Sequence, residues 1–284
     1  MTGILILNKP KGVSSNKVLY YVKNCFKGEK IGHLGTLDPM ATGVLPICVG
    51  KATKLFDYFL SKTKTYKAVF TFGTETDTLD SEGKVVTTSS VIPTKQQILE
   101  VLPKLTGSYQ QLPPKFSAKS INGVRAYELS RKGIDFELKP KLVTINNFEL
   151  LKQINGNSFE FLIDCSSGTY IRSIARDLAK MLNTVAYMSD LNRIRVGVFD
   201  IKNAVNVDEI NSDKLLKIED VLCNVEKINI DAKHYDKLKN GVKINVDIDN
   251  KNNVLVFCNN KLFGLADIID KKLYLKIYLL DEGR

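Results

Sequence analysis

The stretch Gly32-His33-Leu34-Gly35-Thr36-Leu37-Asp38-Pro39-Met40-Ala41-Thr42-Gly43 places one carboxylate, an imidazole and two hydroxyls among glycines. Segments of this kind, with little secondary-structure signal, often carry chemistry because a rigid scaffold aims the side chains they present. The commoner role for Asp38 is structural: an aspartate before a proline starts helices, the Asp capping and the Pro filling the first helical position. Tyr66 and Tyr170 offer ring faces and phenols, although most tyrosines sit in a core with the hydroxyl satisfied. Arg172 falls in the first turn of an expected helix, where a cation opposes the helix dipole, and that misfit hints at a carboxylate partner. Lys62, Lys64, Lys115, Lys119, Arg125, Arg131 and Lys132, taken singly, are solvated charges.

Two motif fragments lead nowhere. Gly32-His33-Leu34-Gly35 has the form G-x-x-G, but lacks the context of a KH domain. Gly50-Lys51-Ala52-Thr53 resembles the tail of a P-loop, yet Ala52 stands where a Ser or Thr should hold magnesium. Nucleotide hydrolysis has no support.

The surrounding elements follow from periodicity. Gly3–Asn8 reads as a buried strand, and Ser14 or Ser15 caps a helix with Val18, Leu19, Val22 and Phe26 on one face. Gly32 to Gly43 reads as loop. Tyr66, Ala68, Phe70 and Phe72 alternate as a strand, followed by a polar loop from Thr74 to Gly83. Ile98, Val101, Leu102 and Leu105 mark a helix. Gln111 to Gly133, with Pro113-Pro114 and several cations, is a surface excursion. Phe159, Phe161, Ile163 and Cys165 alternate into Ser166-Ser167-Gly168 and a helix with Ile171, Ile174, Leu178 and Met181 on one face, so Tyr170 and Arg172 flank its N-terminus. Thr184 to Phe199 returns as strand. Asn211 to Asn224 is the expected boundary, and beyond it Lys243–Ile248, Val254–Cys258, Lys261–Ile269 and Leu273–Leu280 are β-rich runs that suit a small barrel.

With 44% hydrophobic and 25% charged residues in 284, the chain is a folded protein of one large domain, or a large and a small one. A net charge of +10 favours polyanionic partners. Little of that excess lies at the C-terminal end, where Glu226 onward holds 11 basic and 9 acidic residues. Five scattered cysteines without a C-x-x-C pair indicate neither disulfides nor a zinc cluster, and only two histidines are present, so no metal is expected. The N-terminal segment lacks the length of a signal sequence, and no run spans a bilayer, which points to the cytoplasm.

Taken together, four ordered segments are far more specific than any one. Gly32–Gly43 comes first, then Lys64-Thr65-Tyr66 with Gly73 and Thr76-Asp77-Thr78-Leu79-Asp80. Pro113-Pro114-Lys115-Phe116-Ser117-Ala118 with Gly123-Val124-Arg125-Ala126-Tyr127 is third, and Ser167-Gly168-Thr169-Tyr170-Ile171-Arg172 fourth. In this order they resemble the TruB family of tRNA pseudouridine synthases over essentially the whole chain. The resemblance implies an α+β pseudouridine synthase fold, a central mixed, mostly antiparallel sheet flanked by helices. Residues 1–220 would be catalytic, with an RNA-binding insertion near 111–133, and residues 225–284 a small β-rich PUA-like domain. It implies that Asp38 is the catalytic aspartate, Tyr66 the ring stacked on the target base and Arg172 the ion-pair partner of Asp38. Tyr170 and Leu191 would be pocket walls, His33 would hold the T loop open, and Asp80 would be a polar neighbour. Lys64, Lys115 and Arg125 would contact RNA.

The implied substrate is tRNA, through its T stem-loop, and the implied reaction makes pseudouridine from a T-loop uridine. It breaks the C1′–N1 bond, turns the base and joins C5 to C1′, without redox change, so no cofactor is expected. The protein would act as a monomer with no obligate protein partner and no membrane. Two alternatives stay open: a non-catalytic tRNA-binding or tRNA-folding protein, and the catalytic subunit of a guide-RNA-dependent complex.

Overall fold

A computed structural model describes residues 1–117, 119–121 and 123–281. Its first half runs β1 (Gly3–Lys9), α1 (Ser15–Cys25), β2 (Ile31–His33), β3 (Thr42–Val49), α2 (Phe56–Leu60), β4 (Lys64–Phe72), β5 (Thr74–Thr76), β6 (Val85–Thr88), α3 (Lys95–Leu105) and β7 (Gly107–Gln111). The excursion follows as β8 (Ser120–Ile121), β9 (Val124–Arg125) and α4 (Ala126–Arg131), then β10 (Lys141–Gln153), β11 (Ser158–Cys165), α5 (Ile171–Met181), β12 (Ala186–Val196) and β13 (Phe199–Asp200). The C-terminal part holds α6 (Ile218–Val221), β14 (Lys227–Ile230), α7 (Tyr235–Lys239), β15 (Ile244–Asn245), β16 (Lys251–Cys258), β17 (Lys261–Ile269) and β18 (Lys272–Tyr278).

The central sheet has the order β1-β3-β12-β4-β11-β10-β7, and its main-path pairings are antiparallel except β3 with β12. It is the mixed, mostly antiparallel sheet expected. Alternation explains its two faces: in β4, Tyr66, Ala68, Phe70 and Phe72 point inward, with Lys67 outward between them. Those rings meet Phe159 and Phe161 of β11, and α3 and α5 cover them with Ile98, Leu102, Ile174 and Leu178. α3 is started by a capping box, Thr94 with Gln97, which satisfies donors on both sides of the first turn. α1, capped by Ser14, lays Val18, Val22 and Phe26 on Leu5, Leu45 and Ile47.

The C-terminal sheet, β14-β16-β17-β18-β15, has its own core around Phe263 and Ile268. Its other face joins the first sheet: Leu255, Leu265 and Leu279 pack with Ile4, Val44, Phe59 and Phe199. No helix among the described residues is long and apolar enough to cross a membrane.

Several elements differ from expectation. The Gly32–Gly43 loop is shorter, because β2 reaches His33 and β3 begins at Thr42, both held by pairing rather than by local propensity. No helix follows Asp38-Pro39; the Ala41 amide donates to the Asp38 carbonyl at 3.1 Å and closes a turn. The polar stretch after β4 contains β5, paired with β6. Lys243–Ile248 yields only the short β15, while β14 and α7 arise in a stretch read as neither strand nor helix. Met181 stands 40% exposed at the end of α5, off the buried face of that helix. Ala118, within the quoted excursion motif, lies outside the described residues.

Candidate active site

Asp38 sits in the loop between β2 and β3. Neighbouring segments hold that loop by its backbone. The Ser15 hydroxyl accepts from the Leu37 amide (2.9 Å) and donates to the Leu37 carbonyl (3.0 Å). The Gly12 amide donates to the Pro39 carbonyl at 2.8 Å, and Lys9 Nζ reaches the same oxygen at 3.1 Å. Arg193 donates to the carbonyls of Gly35 (3.0 Å) and Thr36 (3.3 Å).

The Asp38 carboxylate meets Arg172 from α5 in a two-pronged pair, Nε to Oδ2 at 3.0 Å and Nη2 to Oδ1 at 3.2 Å. The rest of the guanidinium is also engaged. Nη1 lies 3.2 Å from Asp80 Oδ2 and donates to the Thr78 carbonyl at 2.9 Å, and Nη2 donates to the Phe116 carbonyl at 3.1 Å. Asp80 is fixed in turn, its Oδ1 accepting from Thr78 Oγ1 (2.6 Å) and the Glu82 amide (3.0 Å). Leu79, between these acceptors, adopts φ 61, a left-handed conformation uncommon for leucine that turns Thr78 and Asp80 toward one guanidinium.

Exposure separates the carboxylates. The Asp38 side chain is 35% exposed, against 5% for Asp80 and 8% for Arg172, so only Asp38 is open to an incoming molecule. Burial pushes its pKa up, Arg172 opposes the rise, and the charge of Asp80 adds to it.

Tyr66 and Leu191 are buried in the same cluster as Leu37, Met40 and Ala41, so they form the apolar floor beside Asp38. Burial pushes the Tyr66 phenol up to about 12, against the opposing charge of Arg193 on the neighbouring strand. Tyr170 is placed by Gln111, whose amide clasps both backbone groups of that residue. Burial raises the pKa of its phenol. His33 lies on β2 by Arg193, and burial together with that cation lowers its pKa, which keeps the ring neutral.

The expected basic residues divide. Lys115 and Arg125 stand on the exposed excursion, the Lys115 side chain loosely paired with Asp135 at 3.6 Å. Lys64 is 6% exposed, with its ammonium turned onto the carbonyls of Leu60 (3.1 Å) and Lys62 (2.8 Å); burial lowers its pKa to about 8. Lys9, Ser15 and Arg193 are the residues that reading the sequence for chemistry missed. For Arg193 one signal existed: an arginine two residues after Leu191, on the inward face of an apolar strand. For Ser15, whose partner is 22 residues away, there was none.

The N-terminal domain of the TruB family of pseudouridylate synthases matches residues 23–171 of this chain. A tRNA pseudouridine synthase B of Borreliella burgdorferi is 42% identical over 248 residues, covering 87% of this chain and 88% of its own. One from Clostridium tetani is 38% identical, covering 94% and 95%. Among solved structures, the H/ACA RNP bound to a substrate RNA containing 2′-deoxyuridine superposes with a TM-score of 0.72 at 20% identity, over 99% of this chain and 86% of that one. At that identity it speaks for the fold alone.

Proposed function

The chain belongs to the TruB family of pseudouridylate synthases, and from that premise we propose that it isomerises a T-loop uridine of tRNA to pseudouridine, with Asp38 as the carboxylate that meets the nucleotide. The observation that carries this reading is the asymmetry of the Asp38–Arg172–Asp80 set. One charged fork is shared by two carboxylates, and only Asp38 opens outward.

The reaction needs a base detached, rotated and rejoined through carbon, with no atom gained or lost overall. Four demands follow. The nucleotide must leave its stack, which costs a few kcal/mol, and stacking on the Tyr66 ring offsets part of this. A carboxylate must be ionised although half-buried, and Arg172 supplies the charge that opposes the upward push of burial on its pKa. The freed base must be shielded from water, a task for Leu191, Leu37 and Met40. The phosphates must be gripped away from the chemistry, where Lys115 and Arg125 stand.

Tyr170 is assigned to a pocket wall, neutral His33 to holding the loop open, and Asp80 to orienting Arg172. Lys64 is assigned to fixing the end of α2, since its ammonium is engaged there. Residues 225–284 are taken as a PUA-like unit docked on the catalytic sheet. The protein is taken to act alone, in the cytoplasm and without a guide RNA. Incubation of the purified protein with unmodified tRNA, followed by mapping of pseudouridines, is expected to reveal one T-loop site. Absence of pseudouridine, or formation only when a guide RNA and further proteins are added, would refute the reading.

A further inference from the structure

Arg193 of β12 lies directly opposite Tyr66 of β4 and beside Gly43 of β3, where the antiparallel sheet meets its parallel pair. It is 1% exposed. Its guanidinium donates to the carbonyls of Val44 (2.8 Å), Thr36 (3.3 Å) and Gly35 (3.0 Å), and its charge bears on the phenol of Tyr66, its cross-strand neighbour. Among the described residues it has no carboxylate partner, and the ionisable groups that sense its charge include Lys9, Lys64 and His33. A buried cation without a counter-ion is costly, so its contacts must outweigh a large penalty. Those contacts hold the peptide groups leading to Asp38 on one side, and the strand register sets the same residue opposite Tyr66 on the other. The flat, rigid fork therefore sets the spacing between the Asp38 loop and the Tyr66 ring.

We propose that Arg193 is a positioning residue for the isomerisation, holding the Asp38 loop and Tyr66 at the separation an everted nucleotide requires without touching the RNA. This rests on Asp38 and Tyr66 being the groups that meet the nucleotide. Arg193→Lys keeps the charge and removes the fork, because one ammonium cannot span the three carbonyl oxygens of Val44, Thr36 and Gly35. On a T stem-loop RNA, kcat is expected to fall about 100-fold while KM stays within about threefold. In a Tyr66→Phe background the same change is expected to cost markedly less, since the two residues are coupled cross-strand neighbours. A folded R193K enzyme with unchanged kcat, a loss confined to KM, or equal losses in the two backgrounds would overturn the proposal. Should R193K fail to fold, wild-type protein labelled with 15N-arginine supplies the readout. One guanidinium with slowly exchanging protons is expected to shift when the RNA binds, and the lack of any shift overturns it. Wild-type protein that makes no pseudouridine would instead bring down the functional reading on which the proposal rests.

Discussion

The loop before β3 and the excursion between β7 and β10 are both glycine-interrupted and rich in polar side chains, yet the fold treats them differently. The first is held along its backbone from Gly35 to Pro39 by residues of four other segments, and even its charged residue is clamped. The second is rooted at its base, where Ser173 and Arg176 both donate to the Leu112 carbonyl at 2.9 Å, while its cations Lys115, Arg125, Arg131 and Lys132 are exposed. The contrast matches two physical tasks. A reacting carboxylate loses rate with small displacements. A phosphate contact acts through a field that falls off gradually, and tolerates them.

Breaking the clamp should have the largest effect. Arg172→Ala leaves Asp38 and Asp80 facing each other without a cation. It is expected to lower kcat by about a thousandfold and stability by up to about 3 kcal/mol, the low end for a buried pair because Asp38 is partly open to water. Kinetics and chemical unfolding check both. Ser15→Ala removes two bonds to Leu37 but no charge, so kcat should fall about tenfold, with a loss of about 1–2 kcal/mol. Unchanged kcat in a folded S15A protein would mean that backbone anchoring of the loop is dispensable.

Acidity distinguishes the regions next. Asp38 has its pKa raised by burial and must be ionised to act, so kcat/KM is expected to rise with pH through a midpoint above the ordinary carboxylate range. The sign for stability is opposite: a raised carboxyl pKa favours the protonated folded form, so what this group contributes is present at low pH and lost as pH rises through its folded value. The smallest effect belongs to the excursion. Lys115→Ala and Arg125→Ala are each expected to raise KM a few-fold, leave kcat unchanged and reduce the slope of binding against log salt by about one.

The same contrast governs what could be read from the residues alone. Strands β4 and β11 were legible because each side chain reports its own face, as was α3 from its apolar spacing. Asp38, Tyr66 and Arg172 were recognisable by order along the chain. Lys9, Ser15 and Arg193 were not, since each acts on a backbone carbonyl or amide of a distant segment, and a peptide group carries no identity in a sequence. Lys64, expected at the RNA, has its ammonium buried instead against the carbonyls of Leu60 and Lys62, packing that no neighbour in the sequence announces. β14 and α7 were missed because their stability comes from packing on Phe263 and its neighbours rather than from local pattern.

If one half-open carboxylate performs the isomerisation, tritium release from tRNA labelled at uridine C5 depends on it. Asp38→Asn protein that folds and binds tRNA as the wild type does is predicted to release no tritium above background over many wild-type turnover times. Release at a rate within reach of the wild type would contradict the account.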